Sequence, residues 1–489
     1  MTISGKIRFL FILVFIMTSL FSMGQPENYW SVSFNTNASL LSGAVVGGNS
    51  GITSIYYNPA GISEIENRQF ALNASLFSLE YSDYTNAVGR GENLPNLKFR
   101  VQPRFVSYLY RMRKDTTLSL QFAILNRNIN KFDMYKSLDY TTSLVKNNVK
   151  ENYFGNFDLS SDYSDYWGGV GLSKQLSNKL SVGISLFISV KNFTYFKNIG
   201  ILVSPMLSEL PDSIPYYESS WSEYQKLVMY DVRLLGKIGI RYRINDWSYG
   251  LNVTIPSLRL FGNGDVKKIV SQNNVPGNNL FSDDYNYHEV GNYMLAQFKD
   301  PFSVSFGFLY TPQSRRSKYY FTAEYFYKIN KYKTVDGTKY VSEENKYPRP
   351  TTNFLSYYYA AHSTFNFALG YQVKMTKNTE GLFGFRTNFN PREKLTNDVG
   401  EQDITEYSVV FSNEYYITGG VSFKFKKTSF LVGLQTAYGY KNDNIQFVNF
   451  YDAVPSVPDS GFSLQGKREP VMDYSFVGLS LFLGFSLGF

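Results

Sequence analysis

The stretch from Leu180 to Val190, LSVGISLFISV, alternates between apolar side chains and small or polar ones. The same alternation recurs in WSYGLNVTI, from Trp247 to Ile255, and in VGLSLFLGFSLGF, from Val477 to Phe489. Successive side chains of a β-strand point to opposite faces of a sheet, so this period of two predicts strands with one apolar face. No long amphipathic helix pattern competes with it.

The composition indicates what kind of sheet these strands build. Aromatic residues make up 18% of the chain, with 41 Tyr and 41 Phe, whereas the mean hydropathy is only −0.24. A protein that crosses a membrane with apolar helices would have a much higher mean hydropathy. In transmembrane β-barrels, apolar residues occupy alternate positions and aromatic residues line both membrane interfaces. The sequence therefore predicts an all-β, antiparallel transmembrane barrel rather than a soluble β-sandwich.

Strand candidates recur along the chain, and their connections alternate in length. The pattern gives fourteen of them: 68–82, 103–112, 116–126, 164–174, 179–196, 224–243, 247–256, 301–311, 319–332, 363–374, 382–390, 415–424, 429–440 and 473–489. Six tight turns separate seven longer connections, and long polar loops are expected at 132–163, 262–299, 333–362 and 441–472. Outer-membrane barrels of bacteria have an even number of strands, short periplasmic turns and long outer loops. The pattern therefore predicts a barrel of about 14 strands whose ends both lie on the short-turn side.

The first residues of the chain predict export. In residues 1–24, Lys6 and Arg8 precede an apolar run from Phe9 to Met23, which is typical of a secretory signal peptide with the mature chain starting at Gln25. Removing it takes away two cations and no acidic residue, so the formal net charge falls from +8 to +6. The remaining charge is spread through turns and loops, so we expect these charges to be solvated. We expect no nucleic-acid partner. The chain has no cysteine, which excludes disulfides and a lipid-modified N-terminus.

One segment ahead of the strands does not alternate. Ser42 to Ile62, SGAVVGGNSGITSIYYNPAGI, is rich in glycine, and Gly47 and Gly48 permit tight turns and close approach to neighbouring walls. Pro59 has no N–H donor and disfavours the α conformation at Asn58, so this dipeptide predicts a turn.

With Asn58-Pro59-Ala60 and the fourteen strands, the chain resembles the FadL family of outer-membrane transporters, whose hatch carries an Asn-Pro-Ala motif. The resemblance implies a hatch or plug at 25–67 inside the lumen of a barrel at 68–489, in the outer membrane of a Gram-negative bacterium. It implies uptake of hydrophobic small molecules, such as long-chain fatty acids or aromatic hydrocarbons, with sideways exit through a kinked strand. Asn58, Pro59 and Ala60 would pack in the hatch, and Gly47 and Gly48 would give it room to shift.

The expected partners follow from the same resemblance. They are a hydrophobic small-molecule ligand, outer-membrane lipid and lipopolysaccharide, and the outer-membrane assembly machinery, which would read the terminal aromatic Phe489 as a signal. An alternative is a role in type IX protein secretion, as in PorV-type relatives, because outer loops rich in Tyr and Asn would also suit partner proteins.

Enzymatic motifs carry little weight in this chain. The G-x-S-x-G match at 484–488 has no following helix, and GFSLQGK at 461–467 continues with Arg468 where a phosphate-binding loop needs Ser or Thr. The two histidines, His288 and His362, fall in expected outer loops. The sequence therefore predicts no enzyme, no metal site and no cofactor.

Overall fold

The structure, a computed structural model, describes residues 28–30, 34, 37–48, 50–65, 69–112, 115–275, 284–314, 316–340, 352–395, 407, 410, 412–454 and 463–488. The expected signal peptide, the mature start at Gln25 and the terminal Phe489 lie outside these residues and stay predictions.

Seventeen β-strands make up most of the described residues. They are β1 (Gln69–Thr85), β2 (Leu94–Arg111), β3 (Leu118–Thr142), β4 (Glu151–Gln175), β5 (Leu180–Pro205), β6 (Ser219–Ile244), β7 (Trp247–Asn273), β8 (Tyr285–Leu295), β9 (Ser303–Tyr310), β10 (Ser317–Phe326), β11 (Ile329–Val335), β12 (Tyr357–Ala361), β13 (Thr364–Lys374), β14 (Thr379–Asn388), β15 (Asn413–Phe425), β16 (Thr428–Asn444) and β17 (Met472–Gly488). The helices are α1 (Asn37–Leu40), α2 (Ser54–Tyr57) and 3-10 turns at Gly51–Thr53, Pro59–Glu64, Leu207–Glu209 and Phe450–Asp452. No helix in this part of the chain is long and apolar enough to cross a membrane.

Fourteen of the strands form one closed antiparallel barrel, as the sequence predicts. Around the ring the order is β1 to β7, then β9, β10 and β13 to β17, and β17 pairs with β1 to close it. All fourteen overlap the predicted strands, and all six tight turns join them; residues 245–246 alone connect β6 to β7. Outside the ring, β8 extends the sheet beside β7, and β11 pairs with β12 as a separate hairpin.

The prediction of long polar loops is wrong for two of the four segments. Residues 132–163 continue β3 and then begin β4, and residues 262–299 continue β7 and then form β8. Buried and exposed side chains alternate along most of these extensions, because aromatic side chains from elsewhere in the chain cover one face. Many of the polar residues that suggested loops occupy the uncovered face.

The barrel wall is much taller on one side. β3 to β7 have 25 to 27 residues each, whereas β9, β10, β13 and β14 have 8 to 11. A transmembrane strand needs about 9 to 11 residues. The tall side therefore projects beyond this length at the end opposite the tight turns, which is called the long-loop end below.

The two faces of the wall differ in polarity. On β5, the outward side chains of Ile184, Leu186 and Ile188 are 43% to 50% exposed, whereas the serines between and beside them are buried towards the lumen. An apolar outer face and a small or polar inner face are what a barrel in lipid requires.

Aromatic side chains fill the long-loop end. This aromatic cap is built from side chains of β4, β5, β12 and the later loops: Tyr153, Phe157, Phe193, Tyr195, Tyr357, Tyr407, Phe447 and Phe450. The hairpin of β11 and β12 comes from the low side and rests on the tall side, where Tyr357 Oη donates to Gln225 Oε1 at 2.9 Å. Lys268 Nζ donates to the carbonyl oxygen of Phe354 at 3.0 Å beside it.

Candidate functional site

Residues 37–48 and 50–65, called the hatch below, lie inside the barrel at the short-turn end. Val46 N donates to Thr322 Oγ1 on β10 at 3.2 Å, and Ser173 Oγ on β4 donates to the carbonyl oxygen of Ala60 at 3.0 Å. Gln121 on β3 donates to the carbonyl of Ile52. Hydrogen bonds from widely separated strands therefore hold the hatch across the lumen.

Glycines in the wall make room for the hatch. Nine strands each carry one that would place an added Cβ within 3.1 Å of a hatch atom: Gly171, Gly183, Gly239, Gly250, Gly307, Gly370, Gly384, Gly420 and Gly433. At Gly183 this Cβ would lie 2.4 Å from the Pro59 backbone, and at Gly250 it would lie 2.0 Å from the Val46 carbonyl oxygen. The wall and the hatch are therefore matched in shape, and at Gly183, Gly250 and Gly307 the two backbones meet directly.

Sequence reasoning missed this ring of glycines, although a signal was present. Each of the nine lies three to five residues from the short-turn end of its strand. Glycines that face inward at one common level on so many strands leave space in the lumen, which is typical of a barrel that another segment of the chain plugs.

The five hatch residues singled out from the sequence all contact the wall. Asn58 Nδ2 donates to the carbonyl oxygens of Val46 at 2.9 Å and of Ile240 on β6 at 3.2 Å. Its Oδ1 accepts from Ala60 N at 3.1 Å and so caps the 3-10 turn that Pro59 begins. A Cβ on Gly47 would lie 2.4 Å from the carbonyl oxygen of Gly307, so this glycine permits close approach to the wall. Gly48 packs against the ring of Tyr320 in the same way.

An ionic contact fastens the end of the hatch, and no sequence pattern indicated it. Glu64 Oε2 lies 2.5 Å from Arg241 Nη1 and also contacts the guanidinium of Arg243, both on β6. The side chains of Glu64 and Arg241 are only 6% and 2% exposed, whereas that of Arg243 is 47% exposed. Arg241 Nε also donates to the carbonyl oxygen of Gly47 at 3.3 Å. These three charged residues, called the latch below, thus join two distant parts of the hatch to one strand.

A cavity lies on the hatch. Its apolar lining includes Tyr56, Tyr57, Trp167, Leu235 and Phe326. Its charged lining consists of Arg127, Lys237, Asp300, Glu324 and Arg386. Lys237 Nζ lies 4.5 Å from the ring centroid of Tyr56, which places a buried cation against the hatch. The cavity therefore offers apolar surface together with a few fixed charges, a combination common in small-molecule sites.

Buried ion pairs hold the wall beside this cavity. Asp165 Oδ2 lies 3.1 Å from Lys191 Nζ and 3.2 Å from Arg127 Nη1, and Lys191 Nζ lies 3.0 Å from Asp300 Oδ1. Trp167 Nε1 donates to Asp165 Oδ1 at 2.9 Å. Because opposite charges and hydrogen bonds compensate one another here, we interpret the cluster as a structural ion-pair network that connects the wall strands.

The two histidines lie away from this cavity. His288 lies on β8 and His362 follows β12, and neither lines the cavity. Among the residues that the structure describes, no three His, Asp or Glu side chains are placed to hold a metal ion.

The fold is similar to that of a solved FadL homologue and of two solved toluene transporters. A FadL homologue of Pseudomonas aeruginosa matches with a TM-score of 0.54 and 12% identity, over 96% of this chain and 100% of its own. The toluene transporter TodX of P. putida matches with 0.54 and 12%, over 90% and 94% of the two chains. The toluene transporter TbuX of Ralstonia pickettii matches with 0.50 and 10%, over 94% and 98%. No family model matches the chain, and no curated protein matches its sequence.

These likenesses establish a FadL-type barrel fold. They lend no support to the alternative of a type IX secretion component, nor to an enzyme.

Proposed function

We propose that this protein takes up hydrophobic small molecules across the outer membrane of a Gram-negative bacterium, with the hatch as its gate. The observation that carries the proposal is the cavity, lined by aromatic and apolar side chains with a few charges, that lies on a hatch held by hydrogen bonds and one ionic latch. Such contacts can break and re-form while the barrel stays closed. The fold shared with two toluene transporters supports the same function.

Among the described residues, packed side chains occupy both ends of the lumen, so we infer that uptake needs movement. The aromatic cap fills the long-loop end and the hatch fills the other. A hydrophobic solute would first part the cap, whose apolar side chains can exchange contacts with it. It would then rest in the cavity until the hatch shifts. The polysaccharide outside the membrane is a poor solvent for such molecules, which is why an apolar path would help them.

The exit we propose lies between β1 and β2. The register of this pair shifts between Asn73 and Ala74 and again between Ser75 and Ser78. β2 also contains Pro103, which has no N–H for the ladder. Fewer ladder bonds hold the wall here, so sideways opening to lipid would break less structure than elsewhere.

Uptake in cells tests the proposal. Gram-negative cells with an intact lipopolysaccharide layer would express the protein or carry an empty vector, and uptake of radiolabelled toluene and oleate would be measured. We expect at least one solute to enter several-fold faster with the protein present. Equal uptake, with the protein present and folded in the outer membrane, would refute transport.

Asn58→Ala should lower that uptake several-fold while barrel abundance stays nearly constant. The change removes a cap, which is worth about 1 kcal/mol, and two further hydrogen bonds that position the hatch. Ser63→Ala is the matched control, because Ser63 Oγ bonds only within the same turn in the contacts described, to the Ala60 carbonyl at 3.2 Å. Parental uptake by Asn58→Ala would argue against a gating role for this residue.

A further inference from the structure

A second cavity is lined by side chains of β1, β2 and β15 to β17. Its lining includes Ser78, Glu80, Arg104, Tyr416, Ser480 and Phe482. Ser78 follows one register shift between β1 and β2, and Arg104 is the residue that the other shift skips. The cavity therefore lies beside the irregular part of the wall.

Two side chains in contact with each other link the lining of this cavity to that of the cavity on the hatch. Arg386 lines the first cavity, and Tyr416 lines the second. They are paired partners on β14 and β15, and Arg386 Cζ lies 4.2 Å from the ring centroid of Tyr416. Both side chains are buried, which strengthens a cation–π contact because water does not compete with it.

Hydrogen bonds fix the position of the tyrosine ring. Tyr416 Oη donates to Glu414 Oε2 at 2.7 Å, and Asn388 Nδ2 donates to the same oxygen at 2.8 Å. Asn28 Nδ2 and Trp30 N, from the segment before the hatch, bond to Asn388 at 3.1 Å and 2.8 Å. The pair is thus coupled to the N-terminal segment that leads into the hatch.

We propose that Arg386 and Tyr416 form an inner gate, through which a solute passes from the cavity on the hatch to the second cavity. This rests on the proposed uptake of hydrophobic solutes, and it adds a barrier separate from the hatch. Both residues act by position: passage requires the ring to leave the guanidinium, and no covalent bond is made or broken.

The chain contains no cysteine, so a single introduced thiol can report arrival in each cavity. Ser480→Cys would mark the second cavity and Ser305→Cys the first. Purified full-length protein in lipid nanodiscs would be treated with N-phenylmaleimide, a small uncharged reagent. Tyr416→Ala should raise the labelling rate of the thiol in the second cavity at least tenfold and leave that of the thiol in the first cavity within twofold.

Matched variants separate the gate from a general loosening. Tyr416→Phe keeps a ring that fills the same space but lacks the hydroxyl that bonds to Glu414, so it should label far more slowly than Tyr416→Ala. Tyr415→Ala, which removes an exposed outward ring on the same strand, should label within twofold of the parent. Heat-dependent mobility on SDS gels would verify folding, with Tyr416→Leu as the replacement if the alanine variant fails. Equal labelling of the second cavity in the folded Tyr416 variants and the parent would overturn the proposal.

The labelling experiment does not depend on uptake by cells. Faster labelling in Tyr416→Ala with no uptake of toluene or oleate by the parent would keep the gate and refute transport. Uptake by the parent, together with equal labelling of the second cavity in the parent and the Tyr416 variants, would support transport and refute the gate.

Discussion

Gly183→Val will turn the closed barrel into a leaky one. The Cβ of the new side chain would lie 2.4 Å from the Pro59 backbone, and β5 cannot retreat because it is paired along its length with β4 and β6. Overpacking of this kind costs about 1 to 3 kcal/mol, and here the hatch is the part that can move. We expect the ion conductance of the purified protein in planar bilayers to rise at least tenfold, with barrel abundance unchanged.

Gly168→Val on the neighbouring strand β4 is the control for this prediction. Gly168 is exposed on the outer face, and a Cβ there would meet nothing within 4 Å. Its conductance should therefore match the parent. If the two folded variants conduct equally, the wall glycines do not hold the hatch in place.

Glu64→Gln should release the end of the hatch. The change removes the carboxylate from two guanidiniums and leaves Arg241 buried without that partner. Breaking a buried ion pair costs about 3 to 5 kcal/mol, and the lower figure applies here because Arg243 is half exposed. About 3 kcal/mol corresponds to roughly a hundredfold larger population of displaced hatch. Conductance and protease cleavage within the hatch should both increase.

Glu380→Gln tests whether any lost carboxylate at this end has the same effect. Glu380 lies 2.8 Å from Lys424, and this pair joins two wall strands without involving the hatch. The variant should behave as the parent. A comparable rise in conductance in both variants would show that the latch has no special role.

Much of the fold could be predicted because its determinants are local. The alternation of side chains and the tight turns each depend on residues only a few positions apart, so all fourteen barrel strands could be predicted from the sequence. The length of β3 and β4 was not, because their outer halves are strands only where the aromatic cap covers one face. That covering comes from residues some three hundred positions away, such as Phe450, and no local pattern announces it.

The site was predicted in part for the same reason. Asn58 and Pro59 stand out because a proline turn constrains its own neighbours. The latch does not, since Glu64 and Arg241 lie 177 residues apart and neither is unusual in its own surroundings. Their charges meet only because the folded hatch packs against β6.

The unequal height of the wall bears on how the hairpin of β11 and β12 could move. The hairpin of β11 and β12 is joined to the short strands β10 and β13, and its far side bonds to the tall strands β6 and β7. Rotation about the ends of β10 and β13 would thus lift the hairpin away from the tall side first. The bonds of Tyr357 and Phe354 lie at the end of the hairpin away from β10 and β13, so under the proposed uptake we expect a pull applied there, by a solute or by an antibody, to separate the hairpin from the tall side.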